Sequence, residues 1–216
     1  MYTAKASVCS NPCLGNSYFK AVKALQEHIL SFVDMPQEVF DLGKVYFKTR
    51  KVAKGDFICQ AGDVCNEVAF IKSGVMRSFY KLKGKEVTRF VLMKNNFITA
   101  LASFISRKPT TENLQAIKDC ELYVISNDDI QALYGKYLKW QELGRLVVEK
   151  SHLQLERRVF ELVSMTAAER YESITQDQPD MVDNVPLQYI ASIIGVKPET
   201  LSRIRKKVGV SANQLS

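Results

Sequence analysis

The stretch Tyr189–Lys207, YIASIIGVKPETLSRIRKK, decides how the chain is read. With the residues just before it, PLQYIASIIG places Ile190, Ile193 and Ile194 on one face at helical spacing. Ala191 is small enough for another helix to cross closely. Pro186 opens this helix, Gly195 permits a sharp turn and Val196 plugs its inside. A second helix starting near Pro198 buries Leu201 and Ile204. Two helices joined by a short glycine-containing turn form a helix-turn-helix.

On the opposite face of the second helix, Glu199, Ser202, Arg203 and Lys206 fall at i, i+3, i+4 and i+7, one polar stripe facing outward. Such a stripe suits the major groove: arginine bonds guanine through two donors, glutamate accepts from a cytosine amino group, and serine serves either role. Arg205 and Lys207, turned aside, suit phosphate, as does Lys206 where the helix leaves the groove. Gln188, Lys197 and Thr200 complete the candidate DNA-binding set. The alternative is a solvated helix with a Glu199–Arg203 pair worth a few tenths of a kcal/mol.

The 216 residues carry a formal charge of +7 and a pI of about 9.1. Charge alone does not choose between nucleic acid, an acidic membrane surface and plain solubility; its placement matters more, with Arg203, Arg205, Lys206 and Lys207 together near the C-terminus and the acidic residues spread through the middle. No basic head precedes an apolar run, and no apolar run is long enough to span a bilayer, so a cytoplasmic protein is expected. Five widely spaced cysteines, Cys9, Cys13, Cys59, Cys65 and Cys120, are expected to be reduced thiols.

Three segments follow from the texture of the sequence. Residues 1 to about 16 are small and polar, and helices are expected from there to Val45, with Pro36 opening a new one. From Lys48 to about Ser126, alternating stretches such as EVAFIKSG, VMRSFYKLKG, EVTRFVLM and CELYVIS lie between Gly- and Asn-rich turns, the pattern of a compact β-barrel or sandwich. One long helix is expected from Asn127, with Trp140, Leu143, Leu146, Val147, Leu153, Val159 and Leu162 as an apolar stripe for a partner helix. Two short helices then lead to Pro186.

In KGDFICQAGD (Lys54–Asp63), FIKSGVMRSF (Phe70–Phe79), the long helix and GVKPETLSRIRKK, taken in that order, the chain resembles the Crp/Fnr-type bacterial transcription regulators from Phe40 to Lys207. The resemblance implies an α+β chain: a β-roll (double-stranded β-helix) sensor domain at 17–126, a dimerisation helix at 127–164 and a winged-helix-like helix-turn-helix domain at 165–216. Lying so near the end of the sequence, the head is expected to have a reduced or absent wing. The resemblance further implies a homodimer on palindromic double-stranded DNA, with a TGA core in each half-site, a small-molecule effector and RNA polymerase as a further partner. ETLSR is similar to the Glu-x-x-Ser-Arg pattern of the Fnr branch.

The departures concern the effector. Cyclic-nucleotide-binding relatives hold the ribose with Gly-Glu and the phosphate with Arg followed by Ser or Thr. Aligning FITALASF with that segment puts Thr99 and Ala100 at the first pair and Thr110 and Thr111 at the second, with Leu155 and Glu156 where the base would meet the helix. Without the arginine a buried cyclic phosphate is uncompensated, so cyclic AMP is not the expected effector. Arg107 and Lys108 are the possible substitutes, on a loop. The iron–sulfur cluster of the Fnr branch needs four cysteines, and only Cys9 and Cys13 lie near the start. Cys120 reads as a buried strand thiol, Cys59 and Cys65 as packing or surface thiols, His28 and His152 as partly exposed helix residues, and Trp140 as dimer-helix packing. In the head, Lys197 stands where a Ser or Thr cap is usual, and Pro198 where cyclic-AMP-type relatives place an arginine.

The expected function is thus DNA-binding transcription regulation with a degenerate effector pocket. No Ser/His/Asp set, metal-spaced cluster or phosphate-cradling glycine loop suggests an enzyme, and no cofactor or metal site is assigned. The alternatives are a haem, redox or gas sensor within the same class, and an effector-binding module acting on a protein partner.

Overall fold

A computed structural model of the chain describes residues 15–213, with side chains over 22–207. Cys9, Cys13 and the rest of residues 1–14 lie outside the described residues. Helices α1 (Gly15–Leu30) and α2 (Gln37–Lys44) come first, with Pro36 at the N-cap of α2. Leu25 and Ile29, one turn apart on α1, are both fully buried.

The strands are β1 (Lys48–Val52), β2 (Phe57–Cys59), β3 (Glu67–Ser73), β4 (Val75–Leu82), β5 (Lys85–Met93), β6 (Phe97–Ile98), β7 (Glu112–Ala116) and β8 (Cys120–Ser126), with a short helix α3 (Leu101–Ser106) between β6 and β7. They make two antiparallel four-stranded sheets, ordered β1-β8-β3-β6 and β2-β7-β4-β5. Ile71, Met76, Leu114 and Leu122 are in their shared core, while Phe70, the residue before Ile71, meets His28 of α1. Each fully buried side chain of this kind contributes about 1.5–3 kcal/mol.

Alternation along β4 decides what lies on each side of its sheet. Met76 and Ser78 face inward, while Val75 and Arg77 face outward. On β5 the register with β4 slips between Ser78↔Phe90 and Phe79↔Thr88, leaving Arg89 as the extra residue of a β-bulge. A bulge re-aims the side chain it inserts. Arg89 and Phe90 accordingly both point inward, between Thr88 and Val91 on the outer face.

After β8 the sequence leads one to expect a single helix from Asn127. Instead there are two, α4 (Asn127–Lys136) and α5 (Leu138–Ser164), separated by extended backbone at Tyr137 (φ −134°, ψ 108°). Ser126 caps α4 by accepting from the Asp129 amide at 3.1 Å. Beyond the break Trp140 enters the protein's own core, against Phe40 and Phe47, and its Nε1 donates to the Val39 carbonyl at 3.0 Å. A buried indole needs such an acceptor, and Gly43 clears its path, since a Cβ there would fall on the indole ring. Trp140 is therefore intrachain packing and not part of a seam between helices of two copies. The rest of the stripe divides along its length. Leu143 is buried and Leu146 and Val147 pack on the roll, while Leu153, Val159 and Leu162 are exposed.

Helices α6 (Ala167–Asp177), α7 (Pro179–Asn184), α8 (Leu187–Ile194) and α9 (Pro198–Asn213) form the C-terminal head. Pro186 is the residue just before α8. Thr166 and Glu169 make a capping box at the start of α6. Among the described residues no strand follows β8, so none forms a wing there.

The core of the head, Tyr171, Met181, Ile190, Ile194 and Leu201, is continuous with Val75, Val91 and Ile117 on the outer face of the roll. Polar contacts reinforce this junction. The Thr88 amide donates to Ser192 Oγ at 2.8 Å, and Lys118 Nζ to Asn184 Oδ1 at 3.0 Å. Arg77, 3 % exposed, lies between two rings, 3.8 Å from the Phe79 centroid and 4.3 Å from that of Tyr189. Its guanidinium donates to Gln115 and Glu86, so the buried charge is matched. No helix among the described residues is long and apolar enough to cross a membrane.

His28 of α1 is half-buried among the rings of Phe32, Phe70 and Phe97, at centroid distances of 5.1, 5.4 and 5.3 Å. Burial, with Lys150 nearby, pushes its pKa down to about 4. The unfolded chain takes up a proton near the ordinary value of 6.5, which the folded chain refuses until about 4. Stability from this group is complete above 6.5 and lost as the pH falls through that window, at up to about 1.4 kcal/mol per pH unit. His28→Gln is expected to flatten the fall in urea midpoint between neutral pH and pH values near 5; equal slopes in both proteins would contradict this.

Candidate DNA interface and effector cavity

The turn between α8 and α9 is built by a glycine. Gly195 takes φ +81°, a left-handed conformation that side chains with a Cβ rarely adopt. The Gly195 amide donates to Ser192 O at 3.1 Å and the Val196 amide to Ala191 O at 2.9 Å, the paired bonds of a Schellman motif. Arg170 of α6 braces the same end, donating through Nε to Ile194 O at 2.9 Å and through Nη1 to Met165 O at 2.5 Å. Arg170 ties the helix-turn-helix to the end of α5, a role with no signal in the local sequence pattern.

From this turn α9 projects with Leu201 fully buried and Ile204 packed on the same core. Glu199, Arg203 and Lys206 are exposed on the opposite side and Ser202 is half-buried. Gln188, Lys197, Thr200 and Arg205 are exposed around them. Lys197 occupies the N-cap position, its carbonyl accepting from the Thr200 and Leu201 amides at 3.0 and 3.1 Å. None of the side chains of Lys197, Glu199, Arg203, Arg205 and Lys206 has a partner among the described residues, so the Glu199–Arg203 pair of a merely solvated helix is not made.

The second candidate site is a cavity of about 1000 Å³ between the roll and α5. Apolar side chains make most of its wall, including Phe90, Leu92, Phe97, Phe104, Trp140 and Leu143. At its polar end is a trio absent from the sequence-based site. Glu112, 4 % exposed, accepts from Ser78 Oγ at 2.6 Å and from Arg89 Nη1 at 2.6 Å. Glu112 directly follows the Thr110–Thr111 pair aligned with the phosphate-binding arginine, so a carboxylate stands beside the place where the alignment puts a cation. The signal was an acidic residue opening a short strand that is almost wholly buried, paired with an arginine that breaks the alternation of β5.

The aligned pocket residues separate. Thr99 and Leu155 line the cavity, with Thr99 Oγ1 donating to Glu67 O at 2.9 Å. Ala100 is fully buried at the start of α3, and Thr110 is buried in a turn, accepting from the Glu112 amide at 2.9 Å. Thr111 is exposed, and Glu156 lies on the exposed side of α5, 3.9 Å from His152. His152 is on the rim of the cavity. Arg107 is committed elsewhere, donating to the carbonyls of Cys65 and Phe104 and to Asn66, and Lys108 is exposed.

Cys59, Cys65 and Cys120 are free and buried, Cys59 and Cys65 as packing and not surface thiols. Burial, with Cys65 beside it, pushes the Cys59 thiol up to about 12, and burial raises Cys120 as well, so both stay protonated near neutral pH. Among the described residues, no group of three or more His, Cys, Asp and Glu side chains is placed to hold a metal ion.

Comparison with known proteins bears on both halves. Residues 49–137 match the family model of the cyclic nucleotide-binding domain. No curated protein matches the chain. Among solved structures, the c-di-GMP responsive global regulator CLP of Xanthomonas campestris superposes with a TM-score of 0.65 at 17 % identity, over 82 % of this chain and 93 % of that one. FixK2 from Bradyrhizobium japonicum gives 0.66 at 15 %, over 77 % and 86 %. A Crp/Fnr-family transcriptional regulator from Eubacterium rectale gives 0.64 at 18 %, over 82 % and 85 %. The β-roll is thus a domain of cyclic nucleotide-binding type, and the chain as a whole has the fold of the Crp/Fnr transcription regulators.

Proposed function

We propose that the protein is a cytoplasmic, homodimeric transcription regulator that reads a palindromic DNA site and acts by binding, not catalysis. Its β-roll senses a small molecule other than cyclic AMP, and RNA polymerase is its further partner. The observation that carries this reading is the outward stripe of α9, where the side chains of Glu199, Arg203 and Lys206 have no partner among the described residues. A helix that needed only solvent would satisfy Glu199 with Arg203 one turn away. One that enters a major groove keeps both free for base edges.

In this reading Glu199, Ser202 and Arg203 contact bases, and Arg205 and Lys206 contact phosphate. Arg203→Ala is expected to lose about 1–3 kcal/mol of discrimination at one guanine. Lys206→Ala is expected to weaken binding to every duplex alike and to flatten the salt slope by about one unit. Gel shifts on cognate and scrambled duplexes separate the two. If Arg203→Ala weakens both duplexes equally, Arg203 is a phosphate clamp; if neither variant matters, α9 is not in the groove.

The second half of α5 supports the dimer. Leu153, Phe160 and Val163 are 68, 62 and 83 % exposed, an apolar surface that two like helices would cover side by side. Leu153→Asp puts a carboxylate there without touching the roll, on which Leu146 already packs. The variant is expected to sediment as a monomer where the parent is a dimer. A dimer that persists would place the seam elsewhere.

A further inference from the structure

We propose that the cavity between the roll and α5 takes an uncharged, largely apolar small molecule; this inference rests on the regulator reading, because it names the effector class of that regulator's sensor. The volume, about 1000 Å³, is at the top of the range of roughly 300–1000 Å³ usual for small-molecule sites. The wall offers aromatic and aliphatic surface, and its inner polar groups are already matched to one another.

The charge of Arg89 is met by Glu112, and Glu112 is met a second time by the Ser78 hydroxyl. Thr99 spends its hydroxyl on the Glu67 carbonyl, and the Arg107 guanidinium is spent on Cys65, Phe104 and Asn66. An anion entering here would shed its water and find Arg89 and Arg107 already engaged, with the Glu112 carboxylate beside Arg89. The other lining cations, Arg145 and Lys150, are exposed on α5, Arg145 paired with Glu149 and Lys150 over the Phe32 ring. A cation meets the mirror-image problem at Arg89. An uncharged molecule needs no counter-charge and gains from burying apolar area alone.

The rival occupant is α5 of a second copy, lying in the same groove. Trp140, the one tryptophan of the chain, is in the cavity wall, so its emission reports occupancy. The full-length dimer is titrated with the neutral dye phenylnaphthylamine, then with dodecanol, dodecanoate or cyclic AMP as competitor, at mildly alkaline pH.

Dodecanol is expected to displace the dye and shift the Trp140 emission, with dodecanoate and cyclic AMP at least about tenfold weaker. Dodecanoate binding as tightly as dodecanol, or cyclic AMP displacing the dye, overturns the proposal. Absence of dye binding to the dimer means that the second copy fills the groove and overturns it too. Glu112→Gln leaves the Arg89 charge unmatched and is expected to raise dodecanoate affinity about tenfold relative to dodecanol; an unchanged ratio overturns the charge argument. No arm uses DNA, so failure here beside an intact gel shift leaves the regulator reading standing. A failed gel shift beside dodecanol binding removes the regulator and keeps the cavity's preference.

Discussion

The buried Glu112 carboxylate, held by Ser78 and Arg89, sets the character of the whole β-roll. A single buried carboxylate inside a β-roll is tolerated only if a cation reaches it. Regular alternation on β5 would carry only one of the neighbours Arg89 and Phe90 inward. The extra residue at Arg89 solves this by shifting the phase of the strand, so that Phe90 and Leu92 line the cavity while Thr88 and Val91 meet the head. One local irregularity therefore fixes both the polarity of the cavity and the surface on which α8 docks.

The two faces of β4 and β5 are consequently committed to different tasks. Inside, the polar trio is neutral as a unit. Outside, Arg77 is enclosed by Phe79 and Tyr189, and Thr88 holds Ser192, so the first helix of the helix-turn-helix rests on the sheet of β4 and β5. The second helix takes no part in that contact through its outward stripe, which leaves Glu199, Arg203 and Lys206 exposed while the head is docked. The outward polar stripe and the docking contact thus lie on adjacent helices, α9 and α8, separated by the left-handed turn at Gly195.

Much of this architecture was legible from local pattern. The strands β3, β4, β5 and β8 announce themselves by alternation and glycine corners, and the Ile190, Ile193, Ile194, Gly195 and Leu201 constellation specifies two crossing helices through residue size and spacing alone. Long-range features were not legible. The break at Tyr137 carries no proline, and is understood only once Trp140 is seen to reach the Val39 carbonyl over Gly43, nearly a hundred residues upstream. The bulge at Arg89 and its pairing with Glu112 depend on strand register, which a single sequence does not reveal. Alignment to a nucleotide pocket marked Thr99 and Leu155, which line the cavity, together with Thr111 and Glu156, which do not. It passed over Glu112, because the alignment followed where a phosphate would be held in relatives and not which charge this chain buries.

The central claim, that two heads of a symmetric dimer read successive major grooves through α9, is tested most directly by selecting duplexes from a random pool with the full-length protein and sequencing what is retained. Enrichment of two-fold symmetric sites is expected, with half-site centres about 10–10.5 base pairs apart or a multiple of that spacing. Enrichment of a lone, asymmetric site, or retention without any sequence preference, would contradict it.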